Sequence, residues 1–297
     1  MKPLVSICIP TYNGAQFIAE AMQSVIAQTY PNLEIIVSDD ASIDNTLVII
    51  QQLKQKTSIP INIYHHKPNG IGANWNNCIK NANGKYIKFL FQDDILNPIC
   101  IEDMVQVLEA NKSIALVASK RELIVETSYL NEETEKWIKG YGNLQEALQL
   151  PLKNGMRILD RQLFKSDLFL CSPLNKVGEP SVTLFRKDLL KKTGYFREDL
   201  KQILDYEFYY RILKKYEIAI LEKELVKFRL HQQQATNLNK GNDSSDYIAY
   251  DRIIYKEYFK FLNKEKQIDY LKKYNPFVKK YYLAVKLLLK IKRRLHL

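Results

Sequence analysis

Two pairs of adjacent aspartates each follow an apolar run. Asp39 and Asp40 close the stretch "LEIIVSDD", and Asp93 and Asp94 close "KYIKFLFQDD". Neighbouring carboxylates repel each other and are costly to desolvate unless a cation or hydrogen-bond donors compensate them. Hard divalent cations such as Mg²⁺ and Mn²⁺ prefer oxygen ligands. Both pairs therefore predict a polar site at the ends of buried strands.

Alternating strands and helices must position these acids. Apolar runs predict the strands, and apolar residues at helical spacing predict the helices between them. The predicted strands span 4–10, 33–39, 61–66, 85–91 and 114–119, and the predicted helices span 15–28, 46–56, 72–83 and 101–111. This order predicts an α/β fold with a mostly parallel sheet flanked by helices. Because ligands bind beyond the carboxyl ends of such strands, both acid pairs and the loop 10–13 should form one site.

The second half of the chain follows a different pattern. The alternation stops between about 120 and 175, where a polar stretch predicts loops and a short helix. A strand and a helix closed by a glycine are predicted over 181–196, an amphipathic helix over 204–216 and a strand over 217–231. After a polar, linker-like stretch, Lys, Tyr and Leu follow a helical pattern, which predicts a helical tail.

Charge and cysteine content restrict the class of protein only weakly. The formal net charge is +11, but residues 246–297 alone carry +9, so the main domain is nearly neutral. Four cysteines without CxxC spacing predict reduced thiols. The N-terminus does not have the pattern of a signal peptide, and no run reaches the roughly 18–20 apolar residues of a spanning helix. We expect a cytoplasmic protein, peripheral at most on the inner face of the cytoplasmic membrane.

Six stretches together resemble the family-2 glycosyltransferases. They are "VSICIPTYN", "VSDDASIDNT", "GKYIKFLFQDD", "KVGEPSVTLFRKDLLKKTGYF", "LDYEFYYRI" and "FRLHQQQAT", in the order and at the spacing of that family. The resemblance covers about residues 3–236 and implies a Rossmann-like GT-A fold over 1–236. The nucleotide-binding half would span about 1–119 and the acceptor half about 120–236, followed by a basic amphipathic helical tail over 237–297.

The resemblance also implies a nucleotide-sugar site in the first half. Asp94 would be a ligand of a divalent metal, Mn²⁺ or Mg²⁺, and Asp93 would contact the ribose or support the metal. Gln92 departs from the family, because many members have an aspartate there. Asp40 would recognise the nucleobase, with Asp39 as a structural partner. The first loop and the next helix would add further contacts, although Tyr12 also fits a packing role and Asn74 a capping role: Pro10, Thr11, Tyr12, Asn13 and Asn74.

The second half would supply the acceptor side of the site. Asp205 matches the general base that takes the proton from an acceptor hydroxyl in inverting transfer, with a helix-capping role as the alternative. Glu179 would bind acceptor hydroxyls or only order its loop. His231 would close over the diphosphate, in some members as a metal ligand, although a lone histidine is usually structural. Glu207 and Arg211 have the i, i+4 spacing of a helix ion pair.

The end of the chain is basic and amphipathic. On a helical wheel Lys279, Lys286, Lys290, Arg293 and Arg294 lie on one side, and the opposite side carries Phe277, Tyr281, Val285, Leu288, Leu289 and Leu295. Such a helix suits an anionic membrane surface. Packing on its own domain, or on the second subunit of a homodimer, is the alternative. We expect no nucleic-acid partner, because the segment matches no known nucleic-acid-binding module.

These features predict an inverting, metal-dependent glycosyltransferase. It would move a sugar from a nucleotide-diphosphate sugar, a UDP-sugar being favoured, to a hydroxyl of a glycan or glycolipid acceptor such as a lipopolysaccharide, O-antigen or capsule precursor. A sugar-1-phosphate nucleotidyltransferase is a rival, but "PTYNGAQF" lacks the Gly-rich basic loop it would need. A non-catalytic sugar-nucleotide or glycan-binding protein is the other. His65 and His66 have no metal-ligand spacing and are expected at the surface.

Overall fold

The computed structural model describes residues 1–234 and 243–294, and nine strands of this part of the chain form one sheet. The strands are β1 (Val5–Thr11), β2 (Leu33–Asp39), β3 (Ile61–His65), β4 (Tyr86–Phe89), β5 (Ile95–Leu96), β6 (Ile114–Val125), β7 (Met156–Leu159), β8 (Thr183–Arg186) and β9 (Glu217–Leu230). Their order is β3-β2-β1-β4-β8-β6-β9-β5, and β7 pairs with β9.

The sheet is mostly parallel, as the alternating sequence pattern predicts. Strands β1 to β4 run parallel to one another. β8 lies antiparallel between β4 and β6, and β9 runs parallel to β6. The carboxyl ends of β1, β2, β4 and β9 therefore lie along one edge of the sheet, and the prediction of an α/β fold is confirmed.

Helices cover both faces of this sheet. They are α1 (Ile18–Ile26), α2 (Thr46–Lys54), α3 (Ile71–Asn81), α4 (Cys100–Ala110), α5 (Glu132–Tyr141), α6 (Leu190–Thr193), α7 (Leu204–Leu213), α8 (Asp243–Ile253), α9 (Lys264–Tyr274) and α10 (Pro276–Arg294). In α1 the buried apolar side chains recur at helical spacing, which places one stripe against the sheet: Ile18, Ala21, Met22 and Val25.

Strand β1 shows why the sheet is buried on both sides. Val5, Ile7 and Ile9 point into one apolar cluster, while Cys8 points into the other. Successive side chains of a strand point to opposite faces, so a strand covered on both faces is a continuous apolar run. Every residue of β1 and of β2 is buried. Because the strands are rigid, the loops at their ends are held in fixed positions.

The second half adds strands that the sequence pattern does not predict. β6 was expected to end at residue 119 but continues to Val125, because it pairs with the long strand β9 with shifts of register on the way. The short strands β5 and β7 also pair with β9. The polar stretch after β6 forms the predicted short helix, α5. Gly194, with φ +76°, ends α6 as predicted.

The first part of the expected tail packs into the main core. Tyr250, Ile253, Ile254 and Tyr258 are buried in the same apolar cluster as α7, whereas α10 carries several exposed apolar side chains. The boundary expected at 236–237 lies outside the described residues, as does Leu295. In the part of the chain that the structure describes, no helix combines the length and hydrophobicity needed to cross a lipid bilayer.

Candidate functional site

The loops after β1 and β2 are joined by hydrogen bonds. Thr11 Oγ1 donates to Asp39 Oδ1 at 3.1 Å, and the Asp40 N–H donates to the Thr11 carbonyl at 2.9 Å. The Asn13 N–H donates to Ser42 Oγ, and the Ile43 N–H donates to Asn13 Oδ1, both at 2.9 Å. Asn13 therefore holds the two loops together. Pro10 is buried at the end of β1.

Two residues in these loops have left-handed backbone conformations. Asn13 has φ +48° and Ala41 has φ +63°. For a residue with a Cβ this conformation costs about 1–2 kcal/mol. Such strain persists only where the surrounding contacts impose it, and it concentrates at functional sites. The hydrogen bonds between the two loops supply those contacts here.

The first acid pair is divided between a buried and an accessible carboxylate. Asp39 is 1 % exposed and accepts hydrogen bonds from Thr11 and from the Ser42 N–H, at 3.0 Å in the latter case. Asp40 is partly exposed and lies 2.7 Å from His66 Nδ1. The expectation that His66 is a plain surface residue is wrong, because its side chain is mostly buried against Asp40. The pairing brings residues from the ends of β2 and β3 together, which spacing along the chain does not reveal.

Tyr12 and Asn74 have different environments at this edge. Tyr12 is 55 % exposed, so its ring is open to a ligand. Its backbone is held by Gln92, whose Oε1 accepts from the Tyr12 N–H at 2.9 Å and whose Nε2 donates to the Tyr12 carbonyl at 3.1 Å. Asn74 is buried in α3, and its Oδ1 has no hydrogen-bond partner among the described residues. Gln92 thus joins the loop after β4 to the loop after β1.

The second acid pair is divided in the same way. Asp94 is fully buried and its Oδ1 accepts from the Arg229 N–H at 3.1 Å. Burial, and then the charge of Asp93, raise the pKa of Asp94 well above its usual range. Asp93 is partly exposed, and its Oδ2 lies 2.9 Å from His231 Nε2. The geometry therefore favours Asp93 and His231, rather than Asp94, as the pair that faces a ligand.

Arg229 holds this pair in place. Its Nε donates to the Asp93 carbonyl at 3.0 Å, and its guanidinium forms ion pairs with Glu126 at 2.6 Å and Glu20 at 2.5 Å. The His231 ring packs against Phe17, with 4.8 Å between the centroids. The end of β9 is thus fixed against the loop after β4. His231 contacts Asp93 although the two residues are more than a hundred positions apart in the sequence.

The donor set suits a divalent cation that is shared with a substrate. A carboxylate and an imidazole are ligands that Mn²⁺ accepts. Across residues 1–234 and 243–294, however, no three His, Cys, Asp or Glu side chains are grouped so that they could hold a metal ion. Asp93 and His231 alone would leave most coordination positions to other ligands, such as diphosphate oxygens. The residues fit a substrate-bound cation and do not form a complete cage.

Asp205 lies in the first turn of α7, next to a second group of polar residues. Its Oδ1 accepts from the Tyr206 N–H at 2.7 Å and its Oδ2 accepts from Asn175 Nδ2 at 2.8 Å. Burial raises the pKa of Asp205 to about 7, with the charge of Glu179 adding to the rise and both hydrogen bonds opposing it. A carboxyl group that titrates near neutral pH is suited to accept a proton. The contact between Asn175 and Asp205 is one that the sequence alone did not indicate.

Glu179 and Glu207 have distinct roles around Asp205. Glu179 Oε2 lies 3.2 Å from Arg121 Nε, so its carboxylate is anchored at the side of the site. Glu207 is fully buried and pairs with Arg211 at 2.8 Å, one helical turn further along α7. The predicted helix ion pair between Glu207 and Arg211 is therefore confirmed, and Glu207 does not contribute to an open site.

Comparison with known proteins decides the family. The sequence profile "Glycosyl transferase family 2" matches residues 6–172, more than half of the chain. The chain belongs to glycosyl transferase family 2. An uncharacterized glycosyltransferase of Rickettsia typhi is 32 % identical to this family-2 glycosyltransferase over 273 residues, which are 90 % of this chain and 75 % of the relative. An uncharacterized glycosyltransferase of Haemophilus influenzae is 28 % identical over 274 residues, 88 % of this chain and 75 % of the relative.

Solved structures support the fold of this family-2 glycosyltransferase. Residues 1–349 of S. aureus TarS in complex with UDP align with a TM-score of 0.61 at 20 % identity, over 84 % of this chain and 64 % of that chain. The mannosyltransferase PcManGT from Pyrobaculum calidifontis, in complex with GDP-Man and Mn²⁺, aligns with a TM-score of 0.57 at 15 % identity, over 98 % of this chain and 81 % of that chain. At these identities the likeness concerns the GT-A fold alone. This glycosyltransferase therefore spans less than two thirds of that TarS chain.

Proposed function

We propose that this glycosyltransferase transfers a sugar from a nucleotide-diphosphate sugar, with inversion at the anomeric carbon, to a hydroxyl of a cell-surface glycan or lipid-linked acceptor. The observation that carries the proposal is the environment of Asp205. Its carboxyl has a pKa of about 7, and Asn175 and the Tyr206 N–H hold it at the start of α7. A base placed in this way takes the acceptor proton as the hydroxyl attacks.

The donor would lie along the edge formed by the ends of β1, β2 and β4. Asp40 would accept a hydrogen bond from the nucleobase, and the exposed ring of Tyr12 would stack on it. Thr11, Asn13 and Asp39 would hold the loop geometry, and Asn74 offers an unused acceptor. TarS structures contain UDP and UDP-GlcNAc, and PcManGT contains GDP-Man; these neighbours support a nucleotide sugar, with a UDP-sugar favoured.

A divalent cation, Mn²⁺ or Mg²⁺, would be held by Asp93 and His231 together with the diphosphate. When bound there, it would neutralise the negative charge that develops on the leaving diphosphate. Asp94 becomes the buried support of this pair, since its carboxyl is fully enclosed and bonded to the Arg229 backbone. Arg229 fixes the orientation of Asp93 and His231 rather than contacting phosphate.

The nucleotide, the cation and Asp93 are tested together by thermal unfolding. We expect UDP with Mn²⁺ to raise the melting temperature more than UDP alone, GDP, CDP or dTDP, because a ligand that binds the folded state stabilises it by about 2.7 kcal/mol at a hundred times its Kd. Asp93→Asn should lose the Mn²⁺-dependent part of the shift. The matched control Asp188→Asn changes an exposed aspartate outside the site and should keep it. If no nucleotide raises the melting temperature, the result would instead support the hypothesis that this protein does not use a nucleotide sugar.

A further inference from the structure

A cleft adjoins the residues that hold Asp205 in place. Its volume is about 460 Å³, within the roughly 300–1,000 Å³ typical of small-molecule sites. The walls come from α5, from the loop that follows β7, and from the first turn of α7. Asn175, Glu179 and Tyr206, which all act on Asp205, line it. The cleft therefore opens next to the proposed base.

One wall of the cleft is an aromatic surface. Trp137 and Tyr141, one helical turn apart on α5, are stacked with 5.6 Å between the ring centroids and 27° between the planes. Arg121 Nη2 donates to the Tyr141 carbonyl at 2.9 Å, and the same guanidinium lies against Glu179. Arg121 is buried, and its guanidinium carbon lies 5.4 Å from the centroid of the Phe228 ring. It thus couples the aromatic wall to the acidic one.

Another wall of the cleft includes the Tyr206 side chain, which is only 6 % exposed. Its hydroxyl is buried and has no hydrogen-bond partner among the described residues. Burial raises the pKa of Tyr206 far above its ordinary value, so this hydroxyl remains a donor. A buried hydroxyl without a partner costs about 1–3 kcal/mol, and a ligand hydroxyl would remove that cost.

The combination of walls identifies the chemistry of the ligand. A pyranose ring has apolar faces of C–H bonds, which pack on aromatic rings, and a rim of hydroxyls, which need donors and acceptors. Trp137 and Tyr141 match the ring face, and Tyr206 and Glu179 match the rim. An alkyl chain would leave these polar groups unpaired.

We propose that this cleft binds the terminal sugar ring of the acceptor, so that the enzyme recognises a glycan directly rather than through a lipid or peptide anchor. The assignment rests on the proposed function, because it takes Asp205 as the base for the acceptor hydroxyl. Trp137 and Tyr141 hold the ring by its face, while the Tyr206 hydroxyl and the Glu179 carboxylate select its hydroxyl pattern.

The test is binding of free sugars to the full chain in the presence of UDP. The probes are the methyl glycosides of glucose, galactose, mannose and N-acetylglucosamine, and 1-octyl phosphate is the alkyl comparison. Saturation-transfer NMR measures the binding of each probe. We expect at least one glycoside to bind in the millimolar range and octyl phosphate not to compete. Trp137→Ala should weaken this binding at least tenfold, and Tyr206→Phe, which removes one oxygen atom, several-fold.

Two controls separate the outcomes. Tyr195→Ala removes a partly exposed ring outside the cleft and should leave glycoside binding unchanged. The melting shift given by UDP should be the same in every variant, which shows that each is folded and binds the nucleotide. A normal UDP shift with no glycoside binding, or with binding that Trp137→Ala and Tyr206→Phe leave intact, overturns the cleft assignment but not the proposed function. Glycoside binding without any nucleotide shift overturns both the acceptor role and the proposed function.

Discussion

At the scale of single residues, environment divides chemically identical side chains into different roles. Asp39 and Asp94 are buried and hydrogen-bonded, whereas Asp40 and Asp93 each face a histidine at the surface of the site. Asp205 differs again, because burial raises its pKa to about 7. In the proposed function the same carboxyl group would therefore serve as anchor, ligand contact or base according to what surrounds it.

Asp205→Asn should remove activity while it stabilises the fold. Loss of the base should lower kcat about 10²–10⁴-fold, with UDP affinity unchanged. Between the unfolded pKa near 3.8 and the folded pKa of about 7 the native state binds the proton more tightly, so wild-type stability falls as pH rises. The rise of the Asp205 pKa from 3.8 to about 7 corresponds to about 4 kcal/mol at pH 8. An asparagine can accept only one of the two hydrogen bonds that Asp205 accepts, which offsets part of this gain, so we expect the variant to be about 2 kcal/mol more stable than wild type. Urea unfolding at pH 5 and pH 8 measures this difference.

The wild-type pH profile checks the same assignment. A base with a pKa of about 7 should make kcat/KM rise with pH through neutrality and then level off. Asp199→Asn, an exposed acid before α7, is the matched control and should keep that profile. Full activity in Asp205→Asn, or a profile that is flat between pH 5 and 8, would contradict the role of Asp205.

At the scale of elements, the loops at the sheet edge work as one unit. The loops after β1 and β2 are joined by Asn13, and the loop after β4 is joined to them by Gln92. Many members of the family have an aspartate at the position of Gln92. Here the side-chain amide of Gln92 forms hydrogen bonds with both the N–H and the carbonyl of Tyr12. The departure thus has a structural reason: an amide can donate and accept at once, which a carboxylate cannot.

Gln92→Ala should loosen the nucleotide loop. It removes two hydrogen bonds, each worth about 0.5–1.5 kcal/mol, so we expect UDP affinity to fall about five- to tenfold by calorimetry, with a small decrease in melting temperature. Gln92→Glu keeps the acceptor for the Tyr12 N–H but not the donor, and should have an intermediate effect. The exposed Gln162→Ala is the control. Wild-type affinity in Gln92→Ala would show that the Tyr12 loop is held without it.

At the scale of the whole molecule, the C-terminal part consists of a packed portion and an exposed helix. Tyr250 and Tyr258 complete the core around α7, whereas α10 presents Phe277 at 82 %, Tyr281 at 73 % and Leu288 at 66 % exposure. Exposed apolar side chains beside Lys279 and Lys286 are typical of a helix that lies on an anionic membrane. The side chains of Leu289, Lys290, Arg293 and Arg294 lie outside the described residues, so exposure is established only for the first half of this helix.

Charge reversal on α10 tests whether this face contacts lipid. We expect Lys279→Glu/Lys280→Glu/Lys286→Glu to weaken binding to phosphatidylserine-containing vesicles, because each lysine contributes about 1 kcal/mol near such a surface. Sedimentation with vesicles at low and high salt measures the effect. Lys54→Glu/Lys56→Glu, exposed on another part of the surface, should bind normally. If the triple variant instead changes the oligomeric state in solution, α10 is a subunit contact.

The alternating pattern determined the fold class and the edge at which the site lies. Apolar runs of strand length separated by helical periodicity allow few architectures, and parallel strands necessarily place their carboxyl ends together. Features that involve residues close together along the chain, such as the two acid pairs and the ion pair between Glu207 and Arg211, were therefore predictable from the sequence.

Only the tertiary structure decided which member of each acid pair is buried and which distant residues join it. His66, Asn175 and His231 reach their partners through contacts between separate strands and loops, and the cleft beside Asp205 is formed by α5 and α7, more than sixty residues apart. Long-range packing sets the burial of each side chain, and burial sets its charge and its available hydrogen bonds. Local spacing does not encode those distances.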